Sequence, residues 1–407
     1  MTETAREQTS PATSRRIEPF VESVWPWVHD LEERNPEAVF FGGGVPPTDV
    51  IPVERLRQGS ERAWQDGADI LLYGEVRGYR PLRDLIAERM AGRGAAVDAA
   101  DILITNGAQQ GIDLAARVFV DPGDIVLTEA PTFMDALRVF RSHEAEPVGV
   151  PVDDDGLQVD ALAMILDRLP KRPKFLYTVP TYQNPMGVTM STARRRALVD
   201  LTREREIVIV EDDPYGDLAF DGAPVPTLKA LDPEVVYLGT FSKVLAPGLR
   251  VGWVASSPQL RESFFNVKEG TDIHNERIMT RTVFHAANGF LDDHLATTRE
   301  IYRRRRDAMI TGLEREMPEG VHWTMPDGGF FLWVTLPEGY DTDAMLPAAT
   351  DRGIIYLPSS WFYPDRSWKR SMRLNFSSQP EERIDEAMRR LAQTIAAFDG
   401  APASIRS

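Results

Sequence analysis

The segment TFSKVLAPGLRVGW, residues 240–253, sets Lys243 between a small hydroxyl residue and a Pro-Gly turn, directly after an apolar run. Six lysines stand against forty arginines in this chain, so lysine is the rarer cation here. A lysine amine forms Schiff bases with carbonyls when desolvation or neighbouring cations lower its pKa. Arg250 adds a rigid cationic fork suited to a phosphate, and Ser242 a hydroxyl beside the lysine. Upstream, EDDPYGDL (211–218) closes another apolar run with carboxylates. A carboxylate there is costly to bury unless partnered, and a protonated ring nitrogen would partner Asp212. Tyr215, three residues on, has a hydroxyl to offer the same ligand. PTYQNPMG (180–187) carries Asn184, readable as a plain loop asparagine or as a donor to a ligand oxygen. EAPTF (129–133) ends in Phe133, which suits core packing or stacking on a planar ligand. NGAQQG (106–111) reads as a small-residue turn opening a helix; alone it is ordinary, yet its free N–H groups could cradle a phosphate.

Each of these segments follows an apolar, strand-like run. DILIT (101–105), DIVLT (124–128), KFLYTV (174–179), EIVIVE (206–211), VVYLGT (235–240) and LRVGWVA (249–255) alternate with stretches of helical periodicity. The helical stretches are 111–119, 133–140, 159–169 and 192–204. Such alternation predicts βαβ units and a largely parallel sheet flanked by helices. In open α/β sheets ligands sit beyond the carboxyl ends of the strands, where these motifs fall. A long charged helix over 291–316 leads to strands in GGFFLWVTL, GIIYL and SMRLNF and a final helix near 381–398, a smaller α+β layer. The expected organisation is a disordered lead-in (1–16), a segment packing on the small domain (17–50), a large ligand-holding domain (51–295) and a small C-terminal domain (296–407).

Composition removes competing functions. A net charge of −16 speaks against nucleic acid as a partner. With no cysteine, disulfides, thiolate metal sites and cysteine nucleophiles are excluded. The six histidines show no metal-ligand spacing, and G-x-S-x-G, G-x-G-x-x-G and the phosphate-loop signature G-x-x-x-x-G-K-[ST] of nucleotide-binding proteins are absent. No apolar run approaches a membrane span and the polar N-terminus lacks a signal-peptide pattern, so the expectation is a cytoplasmic protein without membrane contact.

A phosphate cradle, a stacking ring, an anion for a ring nitrogen, a phenol, an amide and a lysine together match pyridoxal 5′-phosphate held by a lysine. The order TNGAQQG, APTF, PTYQNPMG, EDDPYGDL, TFSKVLAPGLRVGW and RLNF resembles the fold-type I PLP-dependent aminotransferases of class I/II. The nearest branch is that of 2-aminoadipate, kynurenine and other broad-specificity aminotransferases, which also resembles the C-terminal domains of MocR-type regulators. The resemblance runs from about residue 40 to 378. It implies that Lys243 carries the cofactor and shuttles the proton, Asp212 pairs with the pyridine nitrogen, and Asn184 and Tyr215 bond the 3′-oxygen. Phe133 would stack on the ring. Gly107, Ala108, Gln109, Ser242 and Arg250 would bind the phosphate, with Tyr73 reaching it from the neighbouring subunit of a homodimer. Arg373 in RLNF would grip the substrate α-carboxylate beside Gly43.

Phe133 stands where the family more often has tyrosine, and NGAQQG lacks the serines of many phosphate loops. The implied activity moves an amino group from an L-α-amino acid, aromatic, branched or 2-aminoadipate-like, to a 2-oxo acid. β-Elimination, decarboxylation or oxidation would share the same first carbanion. A PLP-binding regulatory domain is the non-enzymatic alternative, disfavoured because some sixteen polar residues precede the first structured segment, too few for a helix-turn-helix.

Overall fold

The computed structural model describes residues 13–221 and 225–398. An eight-stranded sheet forms its centre, and the six apolar runs recognised in the sequence are six of the strands. In spatial order these are Ile102–Thr105, Gly252–Ala255, Val236–Thr240, Val208–Asp212, Phe175–Thr178, Ile125–Ala130, Glu146–Asp153 and the short Gly156–Leu157. The four strands from Val236–Thr240 to Ile125–Ala130 run parallel, as does Glu146–Asp153 beside them. Gly252–Ala255 is antiparallel to both neighbours. Ile102–Thr105, Phe175–Thr178 and Val236–Thr240 are buried at every position, which is why they read as continuous apolar runs rather than alternating ones.

Glu146–Asp153, sequence EPVGVPVD, is the strand that periodicity does not disclose. Its two prolines argue against a strand, and it tolerates them near the sheet edge, where only Val152 and Asp153 pair with the last short strand. Helices cover both faces. Val159–Leu166 and Thr192–Glu204 close a core of Leu127, Leu162, Leu176, Leu198 and Ile209 on one face. Ala108–Phe119, Met134–Ser142 and Pro258–Asp272 lie on the other.

A second, antiparallel sheet has the order His322–Trp323, Phe331–Thr335, Ser371–Asn375, Leu357–Pro358. The helix Leu291–Glu316 packs along Glu381–Ala397 so closely that a Cβ at Gly312 would lie 2.7 Å from Met388 Cγ. Residues of the 17–50 segment join this layer: Val39–Phe40 pairs in parallel with Ile354–Ile355, and the Asn375 N–H donates to Phe41 O at 3.0 Å. Position 296, where the sequence reading starts the smaller domain, lies inside Leu291–Glu316. Of the expected lead-in, residues 1–12 lie outside the described residues; Ser14 caps a 3-10 turn at Arg15–Ile17, and Arg16 bonds Glu144 at 2.9 Å. Among the described residues no helix is long and apolar enough to cross a membrane, and no cluster of side chains is arranged to hold a metal ion.

Candidate active site

The carboxyl ends of the parallel strands open onto a cleft of about 570 Å³, walled on the far side by Arg373 and Phe331 of the smaller sheet. One end of the cleft is built from backbone. Gly107 caps the helix Ala108–Phe119 with φ 82°, a conformation that costs glycine little and a side chain much. A Cβ at Gly107 would lie 2.5 Å from the Arg250 guanidinium, and one at Gly252 would lie 2.7 Å from Gly107 C. The tight approach of these three residues leaves the first N–H groups of the helix, which have no intrahelical acceptor, facing the cleft at its positive end. Arg250 is fixed there by donating to Asn106 O at 2.9 Å and Pro247 O at 3.2 Å. Ser242 and Thr240 complete this end, the Thr240 hydroxyl donating to Ser242 Oγ at 2.9 Å. The chemistry of this donor set is that of a phosphate site.

Lys243 enters the middle of the cleft, its Nζ donating to Gly44 O at 2.5 Å. Burial first, then the positive field of Arg373 and Arg250, brings its pKa down to about 8, against the pull of Asp212. A neutral amine is therefore accessible near neutral pH. Asp212 ends its strand on the cleft side. Its Oδ2 accepts the Tyr177 hydroxyl at 2.6 Å, while its Oδ1 is buried without a partner. Burial raises this carboxyl to about 7, opposed by the Tyr177 bond and by Lys243. A cleft-lining carboxylate with one orphaned, desolvated oxygen suits a ring N–H⁺.

The side-chain period of two along the strand explains why only one of three consecutive acids is available. Glu211 turns to the opposite face and accepts the N–H groups of Leu228 and Lys229, both at 2.9 Å. Asp213 pairs with Arg93 and takes the Tyr237 hydroxyl at 3.0 Å.

Arg373 lies buried in the opposite wall. It donates to Asn184 Oδ1 at 2.8 Å and Gly42 O at 2.6 Å, and stacks at 4.0 Å on the Phe331 ring. Its Nε is buried without a partner, and burial brings its pKa to about 10, still a cation at neutral pH. Tyr215 is buried between these groups, its phenol pushed up by burial and held back by Arg373.

Residues 37–391 match the family model for aminotransferase class I and II. The chain belongs to the class I and II aminotransferases. It is 43% identical over 367 residues to aromatic-amino-acid aminotransferase 1 of Thermococcus litoralis, covering 88% of each chain. It also resembles the crystal structure of the multiple substrate aminotransferase of Thermococcus profundus, with TM-score 0.89 and 40% identity over 94% of this chain and 97% of that one. The α-aminoadipate aminotransferase of Thermus thermophilus, solved with N-(5′-phosphopyridoxyl)-L-leucine, matches with TM-score 0.87 and 32% identity over 94% and 96%. The protein is an aminotransferase of PLP fold type I, and pyridoxal phosphate is its cofactor. The orphaned Asp212 oxygen, the Gly107 cradle and the Lys243 amine fit that group.

The aminotransferase fold brings Ala108, Gln109, Phe133, Asn184, Asp212, Tyr215, Ser242, Lys243, Arg250 and Arg373 to one cleft, with Gly107 immediately behind it. Gly43 is nearby, but its carbonyl accepts from Asn375 Nδ2 at 2.7 Å, and it is Gly44 that lines the cleft. Tyr73 is not brought in: it is 83% exposed and rests edge-on against His274. Sequence reasoning overlooked Tyr177, Thr240 and Gly44. For Tyr177 the only available signal is the strand period of two, which sets it on the face opposite Thr178, whose hydroxyl bonds Glu129. Lys243 and Gly44 are 199 residues apart, and nothing local announces their contact.

Proposed function

We propose that this aminotransferase takes aromatic and other apolar L-α-amino acids as donors and works as a homodimer. The observation that carries the donor assignment is the apolar part of the cleft's lining, Trp25, Val45, Ile112, Met134 and Phe331. Arg138, which also lines the cleft, is already engaged: it pairs with Asp135 at 2.7 Å and donates to the Pro19 and Phe20 carbonyls. An apolar side chain thus meets rings and aliphatic walls, whereas an acidic one would have to displace that pairing. The names of the related aromatic-amino-acid and multiple-substrate aminotransferases support the reading.

Bound pyridoxal phosphate supplies an electron sink that acidifies the substrate α-C–H. In this reading Lys243 holds the cofactor's aldehyde carbon and, once displaced by the substrate amine, takes the α-proton on Nζ. Asp212 keeps the ring nitrogen protonated. Asn184 and Tyr215 hold the 3′-oxygen, and Phe133 covers the ring. Gly107, Ala108 and Gln109, with Ser242 and Arg250, hold the phosphate. Arg373 has Nε left over from its bonds to Gly42 and Asn184, and turns it with Nη to the α-carboxylate; fixing that group orients the C–H bond. The division into a large layer (51–295) and a smaller one (296–407, joined by 17–50) belongs to this reading, as does Tyr73 reaching the phosphate of the partner subunit.

A donor panel tests the substrate class. Aromatic and branched L-amino acids should exceed aspartate and lysine in kcat/KM, and Trp25→Ala should cut kcat/KM for aromatic donors by about tenfold, roughly 1.4 kcal/mol. Preference for acidic or basic donors would overturn the assignment.

A further inference from the structure

We propose that Tyr177 is a positioning residue, whose hydroxyl claims one oxygen of Asp212 so that the other is presented, charged, to the pyridine nitrogen of the cofactor. The inference rests on Asp212 holding that nitrogen.

Phe175–Thr178 and Val208–Asp212 are adjacent parallel strands with Tyr177 opposite Val210, so Tyr177 and Asp212 share a face of the sheet. The Tyr177 ring has no exposed surface and is braced edge-on by Phe140, with centroids 5.5 Å apart. That leaves the phenol essentially one place to point, the Asp212 Oδ2 at 2.6 Å. Oδ1, the other carboxyl oxygen, is buried without a partner, and Asp212 lines the cleft. The groups acting on Asp212 are otherwise divided. Lys243 favours its charge, while burial, Asp213 and Glu129 oppose it, and Tyr215 is the second phenol in its surroundings. The Glu129 carboxyl is itself occupied by Thr178, Val179 and Gln183. When Lys243 is engaged with the cofactor it no longer offers its full charge to Asp212. Tyr177 is then the neutral donor that stabilises the carboxylate without competing for the ring nitrogen.

The test compares holoenzymes of the parent chain, Tyr177→Phe, Asp212→Asn and the double variant, measuring cofactor retained in equilibrium dialysis from about pH 6 to about pH 9. Tyr177→Phe should weaken retention about tenfold near pH 7 and approach the parent as rising pH ionises Asp212 without help. In the Asp212→Asn background the same change should do nothing further. Replacing Tyr177 by 3-fluorotyrosine, a stronger donor of the same shape, should tighten retention, and this reads out even if Tyr177→Phe fails to fold. Unchanged retention and pH profile in Tyr177→Phe, an equal loss in the Asp212→Asn background, or no tightening by fluorotyrosine would overturn the proposal. A parent chain that retains no cofactor would overturn the site reading with it.

Discussion

Asp212 shows how one residue trades stability for function. Burial raises its carboxyl from 3.8 to about 7, so the cofactor-free fold binds this proton more tightly than the unfolded chain does. The sign follows: its contribution to stability is fullest below the unfolded value and is lost as pH rises through the folded one. Above neutrality the cofactor-free protein carries a desolvated anion with one oxygen unpaired. Cofactor-free Asp212→Asn should therefore melt higher than the cofactor-free parent at about pH 8, by roughly 5 °C, with the gap closing toward about pH 4. Its hold on pyridoxal phosphate should meanwhile weaken, though measurably remain. Equal melting at both pH values would show that the buried charge is not costly. Lys243 is the mirror case, a cation brought down to about 8 by the same burial. Lys243 and Asp212 stand out as candidates in the sequence because an amine or a carboxylate is costly to bury beside an apolar strand unless something meets it, whereas Arg250, exposed in the fold, stands out only as a cationic fork near them. Tyr177 was hidden because a tyrosine in an apolar strand is ordinary core.

At the scale of elements, strands and helices with continuous apolar or 3.6-residue patterns were plain in the sequence, Thr192–Glu204 to the residue. Glu146–Asp153 was not, because prolines and polar ends mask a strand that has a full partner on one side only. The short turn after Ile102–Thr105 could be read as a phosphate cradle in kind, but its shape depends on Gly252 and Arg250 from far along the chain. The connection Trp64–Leu71 and the residues after it stand apart. Leu71, Leu72 and Tyr73 are 65%, 63% and 83% exposed in succession, more apolar surface than a free edge normally keeps. We expect that stretch to lie against a second copy. Sedimentation should give twice the 45.7 kDa chain, and Tyr73→Phe should keep the dimer while loosening the cofactor several-fold. A fully active monomer would contradict this.

The whole molecule assembles its site from three regions that lie far apart along the chain. The large sheet gives Lys243 and Asp212, the small sheet gives Arg373, and the N-terminal segment gives the Gly42 and Gly44 carbonyls that anchor Arg373 and Lys243. Sequence could name the parts because their chemistry is specific; it could not join them, because each joining contact spans much of the chain. The Arg373–Asn184 bond ties the smaller sheet to the loop after Phe175–Thr178, and in the proposed role a carboxylate held by Arg373 would have its C–H bond oriented from there. The central claim is that Lys243 serves amino transfer at this cleft. It is tested most directly by following the cofactor's visible absorbance in the purified protein through the two half-reactions. An aromatic L-amino acid should bleach the lysine-bound band and a 2-oxo acid should restore it, with Lys243→Ala showing neither change. A band that persists in Lys243→Ala, or one that no amino acid bleaches, would contradict the account.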